Sequence, residues 1–195
     1  LAGLVKSARA DTLTRAAKIA APAQPAAIPR TWTGLYGGAF GGFAMGEISP
    51  SGSPVGLASS GPLAGVTAGL TVQTGVIVWG TEISYAWTFG DLKDVGVKNE
   101  TEYTGRFGVA MGNALPYLHG SFVQTDVTGL GKIEGWKFGP GVELRLGEAG
   151  WSLDLRGGYA VYDIESIAPG IDANSVWGRV GLNKRFDMPA GWFGQ

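Results

Sequence analysis

The stretch GWKFGPGVELRLGEAGWSLDLRGGYAVYDI, residues 135–164, decides how this chain is read. On one parity stand Trp136, Phe138, Val142, Leu144 and Leu146, then Trp151, Leu153, Leu155, Tyr159 and Val161. On the other stand Lys137, Gly139, Gly141, Glu143 and Arg145, then Asp154, Arg156, Gly158, Ala160 and Tyr162. Period two is the mark of strands with two unlike faces. Gly-Glu-Ala-Gly at 147–150 is a tight turn between them. The apolar face would suit either a protein core or lipid.

The same alternation runs outward from there. It places strand two at Val66–Val72, strand three at Ile77–Phe89, strand four at Tyr103–Met111, strand five at Tyr117–Val123 and strand eight at Val176–Phe186. Strand one, about 31–46, is so rich in glycine that its two faces are hard to tell apart. Short connections fall at 73–75, 112–114 and 147–150, and long ones at about 47–62, 90–100, 126–134 and 163–174. Short turns at one end and long loops at the other are the plan of an up-and-down barrel.

Composition chooses between the two solvents. Charged residues make up 16% of the 195, glycine reaches 34 and aromatics 11%, against about 25% charged and about 7% glycine in an average soluble domain. The longest apolar run, Val76–Trp79, is far too short for a membrane helix. Strands that put alternate residues into lipid leave no long run. The apolar face also carries Trp79, Trp87, Trp136 and Trp151 near strand ends, as an aromatic girdle does. The polar face mixes small residues with long charged ones, which suits the inside of a narrow barrel. There Glu82, Glu102, Glu143 and Asp154 would pair with Arg106, Lys137, Arg145, Arg156, Arg179 and Arg185, because unpaired buried charges are costly. The expected fold is all-β: an eight-stranded antiparallel transmembrane β-barrel over 31–186, with an arm at 1–30 and a C-terminal extension at 187–195.

Residues 1–20 have helical spacing, with Lys6, Arg9, Arg15 and Lys18 on the polar side, and a Pro/Ala linker follows. Ala8-Arg9-Ala10 has the small-x-small form of a signal-peptidase site. The narrow, mostly alanine stripe makes this helix marginal alone. The arm is expected to dock on a partner subunit rather than on its own barrel.

The stretches WTGLYGGAFGG (32–42), LAGVTAGL (63–70), WGTEISYAW (79–87), TGRFGVAMGNALPYLHGSF (104–122), GWKFGPGVELRL (135–146), GWSLDLRGGY (150–159) and VGLNKRF (180–186) together resemble the OmpA/OmpX-like outer membrane protein beta-barrel domain family of Gram-negative bacteria, the porin-family or opacity-like proteins. The resemblance implies an eight-stranded barrel with a charge-filled interior and no enzymatic site. It implies a final-strand aromatic read by the barrel-assembly machinery, the place of Phe186, although DMPAGWFGQ follows it and Lys184 stands where an aromatic is common. It also implies that a Pro/Ala-rich segment such as 20–30 reaches towards peptidoglycan.

Other chemistry is weakly supported. The net charge of −1 gives no reason to seek nucleic acid. With no Cys and one His, the sequence offers no metal or cofactor site. His119 and Ser121 share a face, and Glu134 or Glu143 would complete a hydrolase triad like that of the lipid A deacylases. Their parity puts them inside the barrel, away from acyl chains. The expected role is therefore structural: a bacterial outer membrane protein with periplasmic termini, set among outer membrane lipids and lipopolysaccharide, anchored to peptidoglycan or a partner complex through 1–30. A small pore is the alternative, and a deacylase the more distant one.

Overall fold

The computed structural model describes residues 31–50, 57–89, 97–128, 131–163, 169 and 171–186. The expectations for 1–30 and 187–195 lie outside the described residues. Eight strands are present: β1 (Gly34–Pro50), β2 (Leu57–Thr74), β3 (Ile77–Thr88), β4 (Val97–Val109), β5 (Ala114–Val127), β6 (Gly131–Leu146), β7 (Trp151–Asp163) and β8 (Ile171–Phe186). Each pairs antiparallel with the next, and β8 pairs with β1 from Leu35↔Phe186 to Pro50↔Ile171, which closes the barrel.

The alternation becomes inside and outside. Along β3, Val78, Glu82, Ser84, Ala86 and Thr88 are buried, while Trp79, Ile83 and Trp87 are exposed. Large apolar side chains stand exposed, Leu118 at 67% and Trp136 at 63%, while Glu143 is 0% exposed and Asp154 2%. This inverts a water-soluble protein. An apolar surface that wraps all eight strands far exceeds what a soluble monomer leaves in water, and lipid is the solvent that suits it. Val72 departs from the pattern: it is buried beside its cross-strand partner Trp79.

The short turns sit where expected, between β2 and β3, β4 and β5, and β6 and β7. Each holds a glycine at positive φ: Gly75 at 62°, Gly112 at 61° and Gly147 at 63°. Only glycine adopts that conformation freely. The connections at the other end are shorter than the alternation suggested. β1 runs to Pro50 and β2 starts at Leu57, and β5 and β6 are joined across 128–130 alone. Strands of 16 to 18 residues exceed the roughly 9–11 that cross a bilayer. Cross-strand pairing therefore continues beyond the apolar band, where side chains turn polar and period two no longer marks a face.

Candidate functional site: the charged lumen

The lumen is built in tiers around carboxylates, because residues two apart on a strand face the same way, so that β4 alone sends in Glu100, Glu102 and Arg106. Nearest the short turns is Glu143 of β6. Arg185 Nη2 donates to both its oxygens at 2.7 Å, Arg106 Nη1 lies 3.0 Å from Oε2, and Ser152 Oγ donates to Oε1 at 2.5 Å. Arg106 lies over the Tyr36 ring at 4.5 Å and the Tyr117 ring at 5.4 Å.

The middle tier is Glu82 of β3. Its Oε1 accepts from Arg156 Nη2 and, at 2.7 Å, from Arg179 Nη2, and its Oε2 accepts from Tyr36 OH at 2.7 Å. Arg179 also donates to Ser84 Oγ at 3.3 Å and covers the Phe40 ring at 4.0 Å. Arg156 Nε lies 3.5 Å from Asp154 Oδ2, and Asp154 Oδ1 accepts from Tyr117 OH at 2.5 Å.

The third tier joins Glu102 and Glu100 of β4. Glu102 Oε1 accepts from Ser121 Oγ at 2.7 Å and Thr104 Oγ1 at 2.9 Å. Lys137 Nζ lies 3.8 Å from Glu102 Oε2 and donates to Glu100 Oε1. Tyr162 OH reaches Glu100 Oε2 at 3.3 Å, and the Lys137 ammonium sits 5.0 Å over the Trp177 ring.

Nine of the ten charges read from the sequence thus meet inside: Glu82, Glu102, Arg106, Lys137, Glu143, Asp154, Arg156, Arg179 and Arg185. Arg145 differs. It is half-buried at the short-turn mouth, where Nη2 donates to the Thr31 carbonyl at 2.6 Å and the guanidinium covers the Trp32 ring at 4.1 Å. It is near the end of β6, so the mouth is within its reach. Glu100 was missed because it fell in an expected loop, yet its spacing of two from Glu102 would have placed it on the lumen face.

His119 and Ser121 are both buried in the lumen. Ser121 Oγ is 2.9 Å from Thr104 Oγ1 besides its bond to Glu102, and the His119 ring lies 5.3 Å from Trp177. Glu134 is exposed and accepts from Gln124 at 3.1 Å, and Glu143 is held by two arginines. Neither Glu134 nor Glu143, the two expected third members, is bonded to His119. Among the described residues, no cluster of three or more His, Asp or Glu could hold a metal ion.

On the outer wall, Trp79 and Trp151 stand beside the short turns and Trp87 and Trp136 towards the other end, all exposed. Phe186 ends β8, faces outward and pairs with Leu35.

Among solved structures, the chain is similar to Neisserial surface protein A (15% identity, TM-score 0.43, covering 79% of this chain and 98% of that one). It is similar also to the outer membrane enzyme PagL (12%, 0.44, 75% and 99%) and to Ail, the attachment invasion locus protein of Yersinia pestis (13%, 0.36, 77% and 99%). No curated protein matches the sequence. The model of the outer membrane protein beta-barrel domain matches residues 14–186, so the chain belongs to that family and is a β-barrel protein of the bacterial outer membrane.

Proposed function

We propose that the protein is a structural component of the outer membrane rather than a pore or an enzyme. One observation carries this reading: the lumen is occupied, tier after tier, by buried side chains that bond to one another. A water path through it would have to break these buried charge pairs, where each lost partner is costly. Ser121 spends its hydroxyl on Glu102 and Thr104, which leaves the deacylase reading without an activated nucleophile.

In this role the long-loop end faces outward and both termini face the periplasm. The arm 1–30 anchors the barrel to peptidoglycan or a partner complex. Trp79, Trp87, Trp136 and Trp151 settle the barrel among outer membrane lipids and lipopolysaccharide, and Phe186 is the aromatic that the assembly machinery reads. The test is a pull-down from gently solubilised envelopes with the full chain and with 1–30 deleted. Capture of peptidoglycan fragments or a stoichiometric envelope protein by the full chain alone supports the anchor. Equal recovery from both rejects it.

A further inference from the structure

We propose that Trp32 is a removable stopper for the short-turn mouth, and that its withdrawal admits water to the lowest carboxylate tier. The tiers above are made by strand residues, whose backbones are locked in the ladder. Residues 31–33 precede β1 and belong to no strand. Even so, Trp32 is 1% exposed and packs with Val78, Leu115 and Tyr117.

What holds it there is side-chain chemistry. Trp32 N–H donates to Gln73 Oε1 at 2.7 Å. The Trp32 carbonyl accepts from Thr71 Oγ1 at 2.5 Å and from Arg185 Nη1 at 3.1 Å. Both mouth arginines cover the indole, Arg145 at 4.1 Å and Arg185 at 4.8 Å, as cations do over an electron-rich ring face. The Gln73 N–H donates to Thr33 Oγ1 at 2.9 Å, and Arg145 holds the Thr31 carbonyl. These contacts can open one by one without breaking a strand pair. The indole Nε1–H is buried with no partner, so the stopper leaves one donor better satisfied in water.

Arg185 joins the stopper to the network. The same guanidinium holds the Trp32 carbonyl, Thr71 Oγ1 at 2.8 Å and the Glu143 carboxylate. Withdrawing Trp32 uncovers this side chain and, behind it, Glu143.

The chain has no cysteine, so Val78→Cys gives a single thiol under the stopper. In the refolded full-length protein, its reaction with a water-soluble maleimide should be slow. Trp32→Ala should speed it by at least about tenfold and Trp32→Phe by less, since modification then follows the open population. Arg145→Ala, which keeps the indole, should give an intermediate rate and serves if Trp32→Ala does not fold. Equal rates in all folded variants, or a fast rate in the parent, would overturn the proposal. Single-molecule pulling on an N-terminal handle should release a short segment before β1 opens, a step that Trp32→Ala removes. Release only together with β1 would also overturn it.

Discussion

Glu82 carries the middle of the lumen on one carboxylate, with two arginines on one oxygen and a tyrosine on the other. Glu82→Gln removes the counter-charge that Arg156 and Arg179 share, leaving Arg156 with Asp154 alone. Loss of one partner from such a pair costs about 3–5 kcal/mol, so urea unfolding in detergent should shift by that amount. Glu134→Gln, at an exposed site, should stay within about 0.5 kcal/mol. On the opposite face, Ile83 is 47% exposed between Glu82 and Ser84 in the middle of β3. Ile83→Arg should cost about 2–4 kcal/mol in lipid vesicles, the usual penalty for a cation at mid-membrane depth. If neighbouring positions tolerated the opposite substitutions equally, the assignment of faces would be wrong.

At the scale of the element, the β6–β7 seam is the weak place in the wall. Its pairing runs to Phe138↔Tyr159 and resumes at Gly141↔Arg156. Pro140 lies in the gap and has no N–H to give, so the ladder cannot close there. The glycines around it hold the two strands close. A Cβ at Gly139 would come within 2.0 Å of the Gly157 carbonyl oxygen, and one at Gly158 within 2.0 Å of the Phe138 carbonyl oxygen. Pro140→Ala restores a donor facing Gly157 and should stabilise the barrel by about 1 kcal/mol, the net worth of a typical hydrogen bond. Slower amide exchange confined to β6 and β7 would report it. Gly139→Ala should act in the opposite direction, because backbone atoms have to move.

For the whole molecule, the filled lumen predicts function by what does not pass. Planar-bilayer recordings of the refolded protein should show no steady open channel, and sustained conductance would restore the pore reading. Mass spectrometry of lipid A should give the same acyl pattern with the protein, without it and with Ser121→Ala. Loss of an acyl chain that Ser121→Ala prevents would make the protein an enzyme. The closed barrel should also migrate faster on gels before boiling than after. A single mobility would contradict closure from β8 to β1.

The sequence by itself determined the order of the strands, the faces of β2 to β8 and the solvent of each face, because these depend on local period and composition. Trp136 and Lys137 must point to opposite sides whatever lies across from them, and a short turn with glycine at 75, 112 or 147 reverses the chain wherever it stands. Tertiary structure alone decided the pairing inside. Glu82 finds Arg156 and Arg179, over seventy residues away, because closure of β8 on β1 and the tilt of the strands bring those levels together, and neither is written in any one strand. Closure also settled β1. Its glycines show no face in isolation, but Tyr36 bonds to Glu82 inside while Leu35 and Phe43 meet lipid outside. Trp32 went inward for the same reason. Its indole fits between two arginines that come from β6 and β8, strands that become neighbours of the chain start only when the barrel is complete.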